Sequence, residues 1–194
     1  MNILDYPEHP YWHVRDAVLS NPDITELSLS YYKYVPQTIN DERKIFSISR
    51  NDFIDEILVK DFISNAPKGM EVAIHSNIEL SNHDTAHFPM VDMSTASSVQ
   101  LSKLAPFIGE ELFKTMKWYK SGRSYHGYAG KLISDREWVA LMGRLLLANQ
   151  KGMPATVDSR WVGHRLIAGY AALRWSKNTD HYLQVPTSAK LLVK

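Results

Sequence analysis

The sequence predicts an α+β fold with a mainly antiparallel sheet and flanking helices. Strand-like and helix-like segments follow one another in mixed order along the chain, and two pairs of strand candidates resemble hairpins. With 194 residues, the chain is long enough to bury a core without disulfides. We therefore predict a single domain over residues 1–194, in which residues 1–69 form an N-terminal α/β portion.

The N-terminal portion is predicted to contain two helices and two strands. The first helix covers residues 11–19 and ends before an Asn-Pro pair, because the residue before a proline disfavours helical backbone. The strand candidates are residues 26–35, which are rich in Leu and Tyr, and residues 43–49. Asn51 is the predicted N-cap of the second helix, which ends near Asn65 and carries apolar residues at helical spacing: Phe53, Ile54, Ile57, Leu58 and Phe62.

The middle of the chain adds two strand candidates and a helical region. Residues 71–76 form the third strand. Residues 86–92 form the fourth, which contains a proline and so lies at a sheet edge or begins only after Pro89. Residues 97–116 carry apolar side chains at helical spacing, in one helix kinked near Pro106 or in two helices.

A polar connection between the third and fourth strands holds His83 and Asp84, with His87 just after it. Either these side chains form a metal cluster, or they lie in a solvated loop without a metal. We favour the loop, since the His-x-x-x-His spacing places both rings on one face mainly in a helix.

A hairpin is predicted over residues 117–128, where Gly122 supplies the bend. Its second strand is expected to end at residues 131–133. Ser134 and Glu137 have the spacing of a capping box, which starts a helix.

The C-terminal part is predicted to hold one more helix and two short strands. Asp158 is a natural N-cap for the helix, which has an apolar face. Residues 171–179 run from a strand into a basic turn, and residues 181–186 form the last strand.

Composition and motif content narrow the classes of function. The formal net charge is +1, so a nucleic-acid surface must be local rather than a property of the whole chain. The absence of cysteine excludes disulfides, thiolate metal sites and cysteine nucleophiles. No nucleophile elbow, Walker loop, dinucleotide fingerprint or zincin motif is present. The first ten residues lack the pattern of a secretory signal and no apolar run is long enough to span a bilayer, so we expect a cytoplasmic protein without a membrane partner.

The turn of the predicted hairpin carries the chemistry of a phosphate site. Ser121, Arg123 and His126 supply a hydroxyl, a planar guanidinium and an imidazole around the flexible Gly122. Such groups together hold a phosphate chain. The alternative is a polar hairpin that only turns a corner, with its charged groups at the surface.

Carboxylates and further cations follow at the ends of other elements. Asp92 closes a hydrophobic strand and Asp158 follows a later helix, so the two can hold Mg²⁺ or Mn²⁺ against phosphate. Arg174 and Lys177 come last, in the basic turn. The alternatives are that Asp92 is a turn residue and that Asp158 is only a helix cap.

In this order the motifs resemble those of the archaeo-eukaryotic primase superfamily, the catalytic fold of primases and primase-polymerases. The resemblance covers about residues 70–190, and the Ser-Gly-Arg-x-x-His turn is its most specific part. It implies an RRM-like catalytic core with a metal site and a pocket for a nucleoside triphosphate, next to DNA or RNA. It also implies that Asp92 and Asp158 are catalytic and bind the metal. Five residues are implied to contact the triphosphate: Ser121, Arg123, His126, Arg174 and Lys177.

One position departs from the family pattern. Where the family has a second carboxylate close to the first, this chain has Ser94, and a neutral hydroxyl is a poor bridging ligand for a hard cation. Asp92 and Asp158 alone are expected to bind one ion rather than two, which puts nucleotidyl transfer in doubt. Asp84 would supply the missing ligand only if its loop folds back.

Three hypotheses stay open at this point. The first is a primase-polymerase-like protein that binds nucleoside triphosphate and nucleic acid but has impaired or lost nucleotidyl transfer. The second is an active metal-dependent nucleotidyltransferase of DNA replication or repair, or a nuclease, that gains its missing ligand from elsewhere. The third is a non-catalytic module that keeps the fold to bind nucleic acid or protein, and the small size of the chain favours a partner protein.

Aromatic residues near the basic turns suggest contacts with single-stranded nucleic acid. Trp118 and Tyr128 are expected to be half-buried sheet residues instead. Trp175 lies between Arg174 and Lys177 and stays a candidate for stacking on bases.

Overall fold

The computed structural model of the protein describes residues 7–189, which form two antiparallel sheets with helices packed around them. The helices are α1 (Pro10–Ser20), α2 (Arg50–Ile54), α3 (Glu56–Ser64), α4 (Ala105–Ile108), α5 (Glu110–Thr115), α6 (Asp135–Leu147) and α7 (Ser159–Ala168), with a 3₁₀ helix at Ser98–Leu104 before α4. The strands are β1 (Ile24–Lys33), β2 (Glu42–Ser49), β3 (Glu71–Leu80), β4 (Thr85–His87), β5 (Met90–Asp92), β6 (Lys117–Lys120), β7 (Tyr125–Tyr128), β8 (Ile133–Ser134), β9 (Ala172–Arg174) and β10 (Thr187–Ser188).

The predicted α+β class with antiparallel pairing is confirmed. The predicted domain of residues 1–194 includes residues 1–6 and 190–194, which lie outside the described part of the chain, so its full extent stays a prediction. Within residues 7–189, no helix has the length and apolar character of a transmembrane segment.

The larger sheet has six strands in the order β2-β1-β3-β4-β8, with β9 as an additional partner of β3. Strands β9 and β4 pair with successive parts of β3, at residues 73–75 and 77–79 respectively. The smaller sheet has four strands in the order β10-β6-β7-β5, and it places Asp92 opposite His126. The ends of β5, β7 and β9 thereby come to lie near one another.

Proline divides the segment predicted as one strand over residues 86–92. Pro89 separates β4, which belongs to the larger sheet, from β5, which belongs to the smaller one. Proline cannot donate a ladder hydrogen bond, so the chain leaves one sheet there and enters the other. The alternative that the strand begins only after Pro89 is confirmed by β5, which lies at an edge of the smaller sheet and carries Asp92. A single strand over residues 86–92 is wrong, because the residues before Pro89 belong to β4.

A single hydrophobic cluster contacts both sheets and most of the helices. Trp175 is fully buried in it, with the Tyr11 ring edge-on at 5.9 Å between centroids. Burial removes Trp175 as a stacking partner for bases. Trp118 and Tyr128 are 5% and 1% exposed, so their expected role as sheet residues is confirmed.

Local capping sets most helix boundaries. The predicted capping box is confirmed, because the Ser134 side chain accepts from the Glu137 N–H and the Glu137 carboxylate accepts from the Ser134 N–H at 2.8 Å. The N-cap predicted at Asn51 is wrong, since Ser49 caps α2. Asp55 then caps α3 and divides the predicted second helix in two.

Two other strand predictions, for residues 131–133 and residues 181–186, are also wrong. The hairpin over residues 117–128 is confirmed as β6 and β7, but β7 ends at Tyr128 and residues 133–134 form β8 in the other sheet. Residues 181–186 form no strand, and β10 pairs with β6 instead. Such two-residue strands carry no period in the sequence and depend on their tertiary partners.

A buried carboxylate fixes the loop after β9. Glu71 is 1% exposed, and its Oε1 accepts from the backbone N–H groups of Asn178 at 2.9 Å and Thr179 at 2.8 Å. The hydroxyls of Ser176 and Thr179 donate to the same carboxylate. The negative charge is thus balanced by dipoles, and the loop that follows Arg174 is tied to the start of β3.

Replacing Glu71 by Gln should weaken this attachment, because an amide offers one acceptor oxygen where a carboxylate offers two. We expect the free energy of unfolding to fall by about 2–3 kcal/mol, the scale of hydrogen bonds to a charged group. Urea unfolding followed by circular dichroism measures the loss. Glu79→Gln is the control, since the Glu79 side chain is 45% exposed and its loss should matter by less than about 0.5 kcal/mol. Equal losses in the two variants would contradict this role for Glu71.

His9 caps α1 as a buried, neutral imidazole. It is 2% exposed, its Nδ1 accepts from the Tyr11 N–H at 3.1 Å, and its Nε2–H donates to the Trp175 carbonyl at 2.8 Å. Burial lowers the pKa of His9 to about 4 from its usual 6.5, and the Arg174 charge acts in the same direction. Between those values, the unfolded chain binds a proton that the folded protein does not.

The free energy of unfolding should therefore fall as the pH drops from about 6.5 towards 4, because protonation favours the unfolded state. His9 alone should account for about 2 kcal/mol between neutral pH and about pH 5. His9→Asn keeps a residue that can cap a helix and removes the titration, so its stability should depend less on pH.

His83→Asn is the matched control for this experiment. The His83 side chain is 87% exposed and its backbone has φ 66°, a conformation that asparagine tolerates. This variant should keep the wild-type pH dependence in urea unfolding. A His9→Asn variant as sensitive to pH as the wild type would show that His9 does not carry the effect.

Candidate functional site

A pocket opens where the two sheets meet, bounded by the ends of β5, β7 and β9, by α7 and by the loop between β1 and β2. It encloses about 180 Å³. Four of the predicted site residues line it: Asp92, His126, Asp158 and Arg174. The remaining wall includes charged and aromatic side chains, among them Tyr32, Asp41, Arg43, Arg165 and Tyr182.

Asp92 and Asp158 are held next to each other by a short backbone pairing. Met93 and Val157 form an antiparallel bridge, and the Asp158 N–H donates to the Asp92 carbonyl at 3.0 Å. Asp158 also caps α7, because its Oδ1 accepts from two N–H groups of the first turn. No donor among the described residues occupies the other carboxylate oxygen, Oδ2. Asp158 can therefore cap α7, as predicted, and still offer an oxygen to the pocket.

The Asp92 carboxylate is partly buried and poorly compensated. Its side chain is 21% exposed, and no described residue donates a hydrogen bond to it. Burial raises the pKa of Asp92 well above its usual range, the Asp158 carboxylate raises it further, and Arg174 opposes both. An ionised Asp92 is costly in this surrounding, and a cation bound beside it would lower that cost.

His126 is neutral in the pocket wall. It is 5% exposed, and burial, reinforced by the charge of Arg174, lowers the pKa of His126 well below its usual range. Its Nε2 lies 3.7 Å from Asp92 Oδ1, so the contact is a long one between a neutral ring and a carboxyl group. A neutral imidazole has one N–H to give to a ligand.

Arg174 is a fixed positive charge in the same pocket. It is 4% exposed and donates to the backbone carbonyls of Ser121 at 2.8 Å, Gln184 at 3.1 Å and Ser176. Its Cζ lies 4.0 Å from the centre of the Tyr182 ring. No carboxylate forms a salt bridge with this guanidinium in the described part of the chain, so its charge acts on whatever enters the pocket.

The three other predicted phosphate-binding residues do not line the pocket. Ser121 is 6% exposed, and its hydroxyl bonds to Ser124 within the hairpin turn. Arg123 and Lys177 are exposed outside the pocket, so their contacts to a triphosphate stay predictions. Ser94 is likewise exposed outside it and does not replace the family's second carboxylate.

No motif points to three further charged residues of the pocket. Asp41 lies directly before β2 and Arg43 is the second residue of that strand, so their meeting with Arg165 of α7 depends on the tertiary fold. Burial raises the pKa of Asp41, but the hydrogen bonds and charges of Arg43 and Arg165 lower it to about 2. Only Arg165 had a signal in the sequence, since it follows Asp158 by about two helical turns and so lies on the same helix face.

The donor set suits one divalent cation. Mg²⁺ is usually bound in proteins by one or two carboxylates plus water and substrate phosphates, and Asp92 with Asp158 match that pattern. Within residues 7–189, no group of three His, Cys, Asp or Glu side chains is placed to hold a metal ion. An ion at this site would therefore need water or phosphate oxygens to complete its coordination.

The alternative metal cluster at His83, Asp84 and His87 does not form. His83 and Asp84 are exposed in a turn, whereas His87 is 1% exposed. The His87 ring bonds to Ser76 Oγ at 2.9 Å and to Asp135 at 2.6 Å. The favoured loop is confirmed for His83 and Asp84, but His87 lies buried in β4. Asp84 does not line the pocket and so does not supply the missing ligand.

Comparison with known protein families identifies the family of the chain. A family model described as archaeo-eukaryotic primase 1D-like matches residues 50–187, more than two thirds of the chain. The protein is thus primase-polymerase-like in class. The chain belongs to the archaeo-eukaryotic primase 1D-like family. Neither the comparison with curated proteins nor the comparison with solved structures found a match.

Proposed function

We propose that this protein binds a nucleoside triphosphate together with one divalent cation, Mg²⁺ or Mn²⁺, in the pocket. The observation that carries the proposal is the placement of Asp92 and Asp158 side by side in the same pocket as Arg174. A metal–triphosphate complex supplies a cation for the carboxylates and phosphate oxygens for the guanidinium. Membership of a primase family supports the same class of ligand.

The charge of the pocket wall supports an anionic ligand. Its lining contains five cationic side chains and three carboxylates, a net charge of +2 with the histidines neutral: Lys33, Arg43, Arg160, Arg165 and Arg174 against Asp41, Asp92 and Asp158. A nucleoside triphosphate remains an anion after it binds one divalent cation. Such complementarity raises the local concentration of the ligand and holds it in the pocket.

We propose further that nucleotidyl transfer is weak or absent. Two-metal catalysis holds its ions about 3.5–4 Å apart between bridging carboxylates. Here Ser94 stands where the family has its second carboxylate, and the other carboxylate that the described residues place in the pocket wall, Asp41, contacts Arg43 and Arg165 rather than the two acids. One ion orients a bound triphosphate, but two carboxylates do not provide for a second ion at the attacking oxygen.

Nucleic acid is proposed to lie beside the pocket. Tyr34 lines its mouth, is 48% exposed, and stacks on His181 with 4.4 Å between ring centres. Exposed rings next to cationic side chains suit the bases of a single strand. A partner protein that extends this surface stays a prediction, as does the cytoplasmic location.

The proposal is tested by isothermal titration calorimetry of ATP with Mn²⁺. The wild type should bind ATP in a metal-dependent way, and Asp92→Asn and Asp158→Asn should each weaken binding by about tenfold or more, the scale of one lost charged contact. Asparagine also caps helices well, so the second variant keeps α7. Asp61→Asn, an exposed position on α3, is the control and should bind as the wild type does.

Thermal unfolding separates a lost ligand from a damaged fold. Because the pKa of Asp92 is raised, its ionised form destabilises the metal-free protein at neutral pH. Asp92→Asn should therefore unfold at the same temperature as the wild type or at a higher one, while it binds ATP and Mn²⁺ poorly. Wild-type protein that binds no ATP with Mn²⁺ would favour the third hypothesis, a module that keeps the fold without a nucleotide.

Active nucleotidyl transfer is the alternative function, and a primer-extension assay decides it. With labelled nucleotide, a primed template and Mn²⁺, we expect little or no incorporation above the Asp92→Asn background. Incorporation that is robust in the wild type and lost in both Asp92→Asn and Asp158→Asn would establish an active enzyme with a ligand supplied from elsewhere. Signal that survives both substitutions would come from a contaminant.

A further inference from the structure

Two buried arginines share a single carboxylate in the wall of the pocket. Arg43 Nε and Nη2 each donate to one oxygen of Asp41, both at 3.1 Å, and Arg165 Nη2 donates to Asp41 Oδ2 at 2.6 Å. The Arg43 and Arg165 side chains are 7% and 5% exposed. Two guanidinium charges thus face one counter-charge in a region that water reaches poorly.

The two arginines differ in how fully they are paired. The remaining Nη1 of Arg43 donates to Ser30 Oγ at 2.7 Å, and its Cζ lies 4.8 Å from the centre of the Tyr32 ring. Arg43 is therefore fixed in place. Arg165 also lies over a ring, with its Cζ 5.7 Å from the centre of Tyr170, but its Nε and Nη1 have neither solvent contact nor a hydrogen-bond partner among the described residues.

Unpaired donors on a buried charged group are costly. Because neither Nε nor Nη1 of Arg165 is accessible, a ligand reaches them only by taking the place of a group that now covers them. A carboxylate has two oxygens, and Asp41 already uses both for three donors. A terminal phosphate has three oxygens and binds guanidinium groups through paired, charge-assisted hydrogen bonds. It therefore satisfies the Arg43–Arg165 pair better than Asp41 does.

The position of the pair relative to the carboxylates also suits a triphosphate. Arg165 follows Asp158 by about 10 Å along α7, on the same face of the helix. That separation is comparable with the length of a triphosphate and its coordinated ion. The loop that carries Asp41 is fastened to the same helix, since Arg160 Nη2 donates to the Thr38 carbonyl at 3.1 Å.

We propose that Arg43 and Arg165 form the subsite for the terminal phosphates of the nucleotide, and that Asp41 occupies this subsite as an internal competitor when no ligand is bound. The incoming phosphate displaces the Asp41 carboxylate and takes its hydrogen bonds. This inference rests on the proposed function and deepens it. Asp41 and Arg43 precede residues 50–187, the range of the family match, and the subsite is distinct from Arg123 and Lys177.

If phosphate displaces Asp41, substitutions of Asp41 and of its arginine partners should change the affinity for ATP in opposite directions. Loss of either arginine removes hydrogen bonds to phosphate, so Arg165→Gln should weaken ATP binding by about tenfold or more. Asp41→Asn removes the competing charge, so it should strengthen ATP binding several-fold. A cluster that only supports the fold would weaken binding in both variants.

The experiment is calorimetric titration with ATP, ADP, AMP and inorganic triphosphate, each with Mn²⁺. In the wild type, affinity should rise from AMP to ATP. In Arg165→Gln, ATP and triphosphate should lose affinity while AMP stays within about twofold, because AMP does not reach the subsite. Arg136→Gln, an exposed position on α6, is the matched control and should leave all four affinities unchanged.

The outcomes distinguish this inference from the proposed function. If wild-type protein binds neither ATP nor triphosphate, the proposed function fails and the subsite with it. If the wild type binds ATP and Arg165→Gln keeps the full ratio of ATP to AMP affinity, the subsite alone is overturned. An Asp41→Asn variant that binds ATP more weakly overturns the role of Asp41 as a competitor.

A second arginine variant guards against a loss of folding. Arg165→Lys keeps the charge but not the planar pair of donors, and its ATP affinity should fall between those of the wild type and Arg165→Gln. The melting temperature of each variant is measured in parallel. If Arg165→Gln does not fold, Arg165→Lys and Asp41→Asn decide the question, since the displacement account predicts opposite changes for these two.

Discussion

The backbone bridge between Met93 and Val157 is the constraint on which the site depends. It joins the end of β5 to the start of α7, and so places two carboxylates from distant parts of the chain in one partly buried pocket. Asp92 has no hydrogen-bond donor among the described residues, and the neighbouring Asp158 makes its ionisation harder still. A pair of acids arranged in this way lowers the stability of the metal-free protein, and such strain is typical of a binding site rather than of a structural core.

The arginines of the pocket are also held in place by the fold. Arg174 is held by three backbone carbonyls, and the loop that follows it is attached to β3 through the buried Glu71. Arg43 and Arg165 share the Asp41 carboxylate in the wall of the same pocket. Positive groups fixed in advance lose little freedom when an anion binds, so they favour a phosphate chain over a ligand of similar size without charge.

The parts of this fold that could be predicted from the sequence depend on residues close together in the chain. The capping box of Ser134 and Glu137, the cap at Asp158 and the hairpin around Gly122 are of this kind. Their signals lie within a few residues, where propensity and hydrogen bonding act directly. The division of residues 86–92 between two sheets depends instead on which partners each half finds in the folded protein.

The site was predictable only in part, because it also depends on contacts between residues far apart in the chain. The resemblance to primases pointed to Asp92, His126, Asp158 and Arg174, and these four side chains do line one pocket. The place of Asp41 in the site could not be predicted, because Arg165, which brings it there, lies on a helix 124 residues further along the chain.

The central claim is that the pocket holds one cation between Asp92 and Asp158, with the triphosphate extending from it. Anomalous diffraction from crystals grown with Mn²⁺ and a non-hydrolysable ATP analogue tests this most directly. The account predicts one anomalous peak within coordination distance of both carboxylates, with analogue phosphates in the same pocket. No peak there, or a pair of peaks about 3.5–4 Å apart as in a two-metal site, would contradict it.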